Sequence, residues 1–234
     1  MDGMTQFRIT YDGKALETHE MDVRELSPAL LAMADLLDAS VRALHGDKAK
    51  AQINVRGSFK TGSFNIDFNT AVNFIKAVRD IFSGENATAV ANALAVLGAL
   101  GFVGKVGLAQ VLKWVQGRRI TNVETLPDGR ARIFIDQDSM EVEASVIALL
   151  RDLTVRQAFD KVLAPLDREG IELFAVGSDT DVVVTVTETE RAWFIPPAGD
   201  DVLLVEETRK MAFSIVSLAF KDDNKWRLSD AFVS

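Results

Sequence analysis

A chain of 234 residues with 48% hydrophobic and 26% charged residues has the balance of a folded globular protein, which excludes wholesale disorder. Its net charge of −8 speaks against a nucleic-acid partner, because neutralising phosphates needs a concentrated basic surface. Cysteine is absent, so disulfides, thiolate nucleophiles and cysteine-ligated zinc or iron–sulfur sites are excluded.

The N-terminus is polar, with no basic stretch leading into an apolar one, and predicts a cytoplasmic chain without a signal peptide. Phe7, Ile9 and Tyr11 alternate ahead of Asp12-Gly13, the pattern of a first strand ending in a tight turn. Ser27-Pro28 offers an N-cap and a first-turn proline. Behind it Leu30, Leu31, Ala34, Leu37, Val41 and Leu44 recur at helical spacing up to Gly46. Ile53 and Val55 mark a second strand, and Phe64, Ile66 and Phe68 a third. Residues 5 to 70 thus read as a β-α-β-β unit, one helix laid on a small antiparallel sheet.

Val72, Phe74, Ile75, Val78 and Phe82 predict a helix broken at Ser83-Gly84. Then comes the most unusual stretch of the chain, the nineteen uncharged residues from Asn86 to Gly104. Gly98, Gly101, Gly104 and Gly107 weaken a continuous helix by about 1 kcal/mol each against alanine and predict a helical hairpin turning about Gly101. Ala87, Ala91, Ala95 and Ala99 recur every four residues, which permits close helix–helix approach. The expected association or membrane segment comprises Ala91, Ala95, Leu97, Gly98, Leu100, Gly101, Phe102 and Gly104. Lys105, Lys113, Trp114, Arg118 and Arg119 form its basic, interfacial flank.

Three readings compete for this segment. It is a hairpin buried within the chain or in a homo-oligomer core, since large apolar patches on soluble proteins mark interfaces. Alternatively it inserts conditionally into a bilayer, about twenty apolar residues being a membrane's span, and places the protein peripherally at the inner membrane. The third reading is a ligand pocket between helices. Alanine is only weakly hydrophobic and Asn86 and Asn92 are polar, so a constitutive transmembrane helix is the poorer fit.

Ile120 to Val123 and Ala131 to Ile135 flank the turn Leu126-Pro127-Asp128-Gly129, a hairpin signal. Val142 to Leu150 and Val155 to Leu163 read as helices, the second entered through Thr154 and ended by Pro165. Beyond them, strands are predicted at Ile171–Val176, Val182–Thr187, Ala192–Ile195, Val202–Glu206, Met211–Phe220 and Trp226–Leu228. The expected class is α+β, with units at 1–84 (α+β), 85–119 (helical hairpin), 120–169 (hairpin plus helices) and 170–234 (β-rich). The strand-like ending at Ala231–Ser234 predicts a longer natural protein.

Conventional chemistry finds little support. His19 lies in a polar turn, and His45 precedes Gly46 at a helix C-terminus, where the dipole favours histidine as a cap. The acidic groups Asp136-Gln137-Asp138, Glu141-Val142-Glu143, Asp179-Thr180-Asp181 and Asp222-Asp223-Asn224 supply hard oxygen ligands, but none fits the twelve-residue calcium loop. They read as solvated turns, and no metal or cofactor is expected. Arg56-Gly57-Ser58-Phe59-Lys60-Thr61-Gly62 lacks the phosphate-loop spacing and precedes a strand; Arg56 and Lys60 remain as an anion contact in a glycine-bearing hairpin.

Ile9 to Gly13, the helix after Ser27-Pro28, Gly62-Ser63-Phe64, Lys113-Trp114 after the hydrophobic hairpin, and Lys225-Trp226-Arg227-Leu228 together resemble a group of uncharacterised bacterial and mobile-element proteins. The resemblance covers most of the chain and implies no activity and no catalytic residues. By association with genomic islands and phages it implies a role in defence. The function expected is a non-enzymatic protein that self-associates through the hairpin, or binds a protein partner, as a sensor or defence subunit. The alternative is a membrane-disrupting effector.

Overall fold

The computed structural model describes residues 5–18, 20–47, 49–56, 64–74, 85–104, 106–178, 180–197, 213–217 and 227–230. Strand β1 (Thr5–Asp12) leads through a short 3-10 turn (Lys14–Leu16) to helix α1 (Val23–His45), followed by β2 (Ala49–Arg56) and β3 (Phe64–Phe74). This is the expected β-α-β-β unit, and the fold is α+β. Helix α1 starts earlier than Ser27-Pro28 suggests: Asp22 is its N-cap, the carboxylate accepting from the Arg24 amide at 2.8 Å. Pro28 lies inside the helix, where its ring removes one backbone hydrogen bond. Gly46, at φ 76°, ends it by donating its N–H to the Arg42 carbonyl.

Helix α2 (Glu85–Leu100) and helix α3 (Leu108–Val115) follow. The strand pattern of β3 runs on through Val72 and Phe74, so these two do not begin a helix; the rest of that predicted helix lies outside the described residues. A three-stranded meander comprises β4 (Asn122–Thr125), β5 (Arg130–Ile135) and β6 (Asp138–Glu143). Glu141, Val142 and Glu143 are therefore strand residues, and helix α4 (Ala144–Arg151) begins only after them. Helix α5 (Leu153–Val162) is entered through Asp152 rather than Thr154; the Asp152 carboxylate accepts from the Val155 amide at 3.0 Å.

Strands β7 (Leu173–Gly177) and β8 (Val182–Thr187) complete a five-stranded antiparallel sheet in the order β2-β3-β1-β7-β8. The segment expected to open a separate β-rich unit near residue 170 thus joins the N-terminal sheet, with Tyr11 opposite Phe174 and Ile9 opposite Val176. Residues 188–194 form a 3-10 helix, which replaces the strand predicted at Ala192–Ile195. Thr187 and Glu190 explain it: the Glu190 carboxylate accepts from the Thr187 amide at 3.0 Å and ties the first turn closed. A two-stranded pair, β9 (Phe213–Ser217) and β10 (Arg227–Asp230), ends the described chain, and Val202–Glu206 lie outside it.

One face of the large sheet carries the core. Phe7, Ile9 and Tyr11 of β1 align with Phe68 and Ile66 of β3 and with Val176 and Phe174 of β7, and all are buried. Helices α1, α2 and α5 pack together with this side. On the other face of β1 and β3, Arg8 grips Asp67 in a two-pronged ion pair at 2.6 and 3.0 Å.

Tyr11 is the only tyrosine in the chain, and its hydroxyl donates to the Val162 carbonyl at 2.8 Å inside the core. Burial raises its pKa well above the ordinary tyrosine value of about 10. The sign follows from the neutral phenol being the buried form. Stability tied to it is complete below the unfolded-state pKa and falls as alkali deprotonates the unfolded chain. Ultraviolet titration of the folded protein should therefore show almost no phenolate at about pH 11, about one unit above the ordinary value. The absorbance should appear in a single step with unfolding. A half-titrated phenol in the folded protein at that pH would contradict this placement.

Candidate functional site

The uncharged run folds as helix α2, a glycine turn and helix α3, and its geometry explains the glycines. Helix α2 ends in a paired cap: Phe102 donates its N–H to the Leu97 carbonyl at 2.8 Å, and Gly101 to Gly98 at 3.0 Å. Gly101 sits at φ 84°, the left-handed conformation such a cap needs. Gly107 is held for a different reason, close approach. A side chain there would lie 2.6 Å from the Gly98 carbonyl oxygen and closer still to the Gly101 amide nitrogen. Gln110 locks the two ends together, accepting from the Gly107 amide at 2.9 Å and donating to the Gly101 carbonyl at 3.1 Å.

The two sides of α2 differ. Ala93, Val96, Leu97 and Leu100 are buried, and beyond the helix Phe102 is too. Phe102 packs against Phe7 and Phe159, each with ring centres 5.8 Å away, and Phe159 meets Phe194 edge-on at 5.3 Å. The outward side shows Ala91, Leu94 and Ala95, with Leu94 41% exposed. Gly98 is half-buried and Gly104 exposed. The predicted association segment is therefore split: Leu97, Leu100, Gly101 and Phe102 belong to the chain's own core, and Ala91 and Ala95 face outward.

The basic flank is also committed internally. Lys113 pairs with Glu190 at 2.9 Å and donates to the Thr185 carbonyl at 2.9 Å, joining α3 to the 3-10 helix and β8. Trp114 is half-buried against the core. Arg118 lies over the Trp114 ring at 6.0 Å and caps α3 by donating to the Trp114 and Val115 carbonyls. Arg119 is exposed. Lys105 lies outside the described residues, as do Lys60 and His19; Arg56 is the last residue of β2.

Acidic residues of the meander pair with arginines. Glu141 lies 3.0 Å from Arg130 and 2.5 Å from Arg132, and Asp128 lies 2.7 Å from Arg130. Those cations hold the Glu141 and Asp128 carboxyls below the ordinary range. Among the described residues no group of three or more histidine, aspartate or glutamate side chains is placed to hold a metal ion. His45, at the end of α1, has its pKa lowered by burial.

One cluster escaped the sequence reading. Arg156 of α5 and Arg191 of the 3-10 helix are both buried, and Asp160 of α5 accepts from Arg191 at 2.6 Å. The signal was present in α5, where Arg156 interrupts the apolar series Val155, Ala158, Phe159 and Val162. Comparison with protein-family models, curated proteins and solved structures finds no match.

Proposed function

We propose that this chain is a non-enzymatic interaction protein that self-associates through the outward face of α2. The observation that carries the reading is the exposed, uncharged stripe Ala91, Leu94 and Ala95, spaced i, i+3, i+4 on a helix whose opposite side is core. Alanines at four-residue spacing let a second helix approach closely, and covering one leucine contributes about 1.5–3 kcal/mol. A stable dimer buries about 800 Å² per partner, so neighbouring surface must take part as well. Val106, 47% exposed just before α3, is a further apolar side chain available for it.

Membrane insertion is the weaker alternative. Among the described residues no helix is long and apolar enough to cross a bilayer. Insertion would also have to withdraw Leu97, Leu100 and Phe102 from the core.

Sedimentation velocity of the wild type and of Leu94→Asp, with and without anionic liposomes, tests the proposal. The wild type should sediment as an oligomer and Leu94→Asp as a folded monomer, because a charge at the centre of an apolar interface is desolvated without a partner. A wild type that is monomeric at every concentration overturns the proposal. So does co-sedimentation of the wild type with the liposomes that Leu94→Asp abolishes, which would establish the membrane reading instead.

A further inference from the structure

Two buried arginines are unequally matched by negative charge. Arg156, on α5, is 6% exposed, and Arg191, in the 3-10 helix, is 8% exposed. Arg191 is well supplied: Asp160 accepts from its Nη1 at 2.6 Å and Asp167 from its Nη2 at 3.2 Å. Arg156 is not. Its Nη2 donates to the Ile195 carbonyl at 3.5 Å, at the limit of a hydrogen bond, and among the described residues no carboxylate oxygen accepts from it. Among the described residues, the Nε–H groups of both arginines are buried without an acceptor.

A guanidinium taken out of water needs its donors satisfied and its charge balanced, or it destabilises the fold. Asp160, one turn along α5 from Arg156, supplies a compensating charge, but its carboxylate is engaged by Arg191. Asp167, the other carboxylate of the cluster, is largely exposed and bonded to Arg191. Burial lowers the Arg156 pKa to about 10, with Asp160 opposing that shift, so the group stays cationic at neutral pH. A planar cation whose Nε–H has no acceptor among the described residues, and whose Nη2 makes only one long hydrogen bond, offers donors in the geometry that suits a carboxylate or phosphate.

We propose that Arg156, supported by Arg191, anchors a binding site for the carboxylate or phosphate group of a small ligand, which accepts from the unpaired guanidinium donors beside Asp160. The site uses no residue of the α2 stripe and does not depend on self-association.

Isothermal titration of the full chain with inorganic phosphate and, separately, with acetate distinguishes the two chemistries. Saturable binding of one or both is expected, weakened at least tenfold in Arg156→Met and in Arg156→Lys, which keeps the charge but loses the fork. In anion-free buffer Arg156→Met should melt no lower than the wild type, since it removes an uncompensated charge. The anion that binds should raise the melting temperature of the wild type and leave that of the variant unchanged. Failure of both anions to bind, or equal binding by wild type and Arg156→Met, overturns the site. If Arg156→Met does not fold, Arg156→Lys decides: full affinity in that variant overturns the role of the guanidinium fork.

Discussion

Gly107→Ala is expected to destabilise the protein by more than about 3 kcal/mol, at the upper end of what single substitutions do. The cause is steric and involves backbone. The added methyl would meet the Gly98 carbonyl and the Gly101 main chain at distances real side chains do not show, and neither can rotate aside. Relief requires α2 and α3 to separate, which breaks the Gln110 bridges to Gly107 and Gly101 and shifts Phe102 among Phe7 and Phe159. Gly104 supplies the contrast. Its φ is 46° but nothing lies within 4 Å of an added methyl, so Gly104→Ala should cost only about 1 kcal/mol of backbone strain. Urea unfolding should show a large drop in midpoint for Gly107→Ala and a small one for Gly104→Ala, with similar slopes. Equal midpoints would mean that the two helices do not meet at this crossing.

Leu100→Asp has the second large expected effect. Leu100 is 0% exposed, at the last turn of α2. Truncating a buried leucine costs about 2–5 kcal/mol, and the carboxylate adds an unpaired buried charge or must take up a proton. The total, about 5 kcal/mol or more, approaches the whole stability of a typical domain. Leu100→Asp should therefore be unfolded or only partly folded by near-ultraviolet circular dichroism. A native spectrum would show that this end of the run lies outside the core.

The local patterns were easiest to read where one physical rule governs them. Val182–Thr187 is a strand at its predicted limits, and Phe7, Ile9 and Tyr11 face inward together as their alternation requires. Turn chemistry was legible too, with Gly129 at φ 83° in the hairpin after Pro127. Sequence pattern and structure part where two local signals compete. Ser27-Pro28 is a strong helix start, yet Asp22 holds the cap five residues earlier. Ala192–Ile195 has the composition of a strand, but the Thr187-to-Glu190 spacing is a capping signal, and it prevails. Long-range pairing was not legible at all. Nothing near Phe174 in sequence says that it lies opposite Tyr11, because that register is set by the shared core.

The uncharged run shows the same division. Its length and glycines pointed to paired helices about Gly101, which the fold contains. Which residues face inward depends on where α2 meets the sheet, and composition carries no such information. Leu97, Leu100 and Phe102 proved to be core, and Lys113 an internal ion pair rather than a free interfacial cation.

That two-sided character is the centre of the account, and thermal unfolding of Leu94→Asp beside Leu100→Asp tests it most directly. The two leucines lie six residues apart in one helix and differ in exposure, 41% against 0%. Measured at a concentration where the wild type is monomeric, Leu94→Asp should melt within a few degrees of it and Leu100→Asp should show no cooperative transition. Equal losses at both positions, or a greater loss at Leu94, would contradict the division of α2 into a folding face and an outward face.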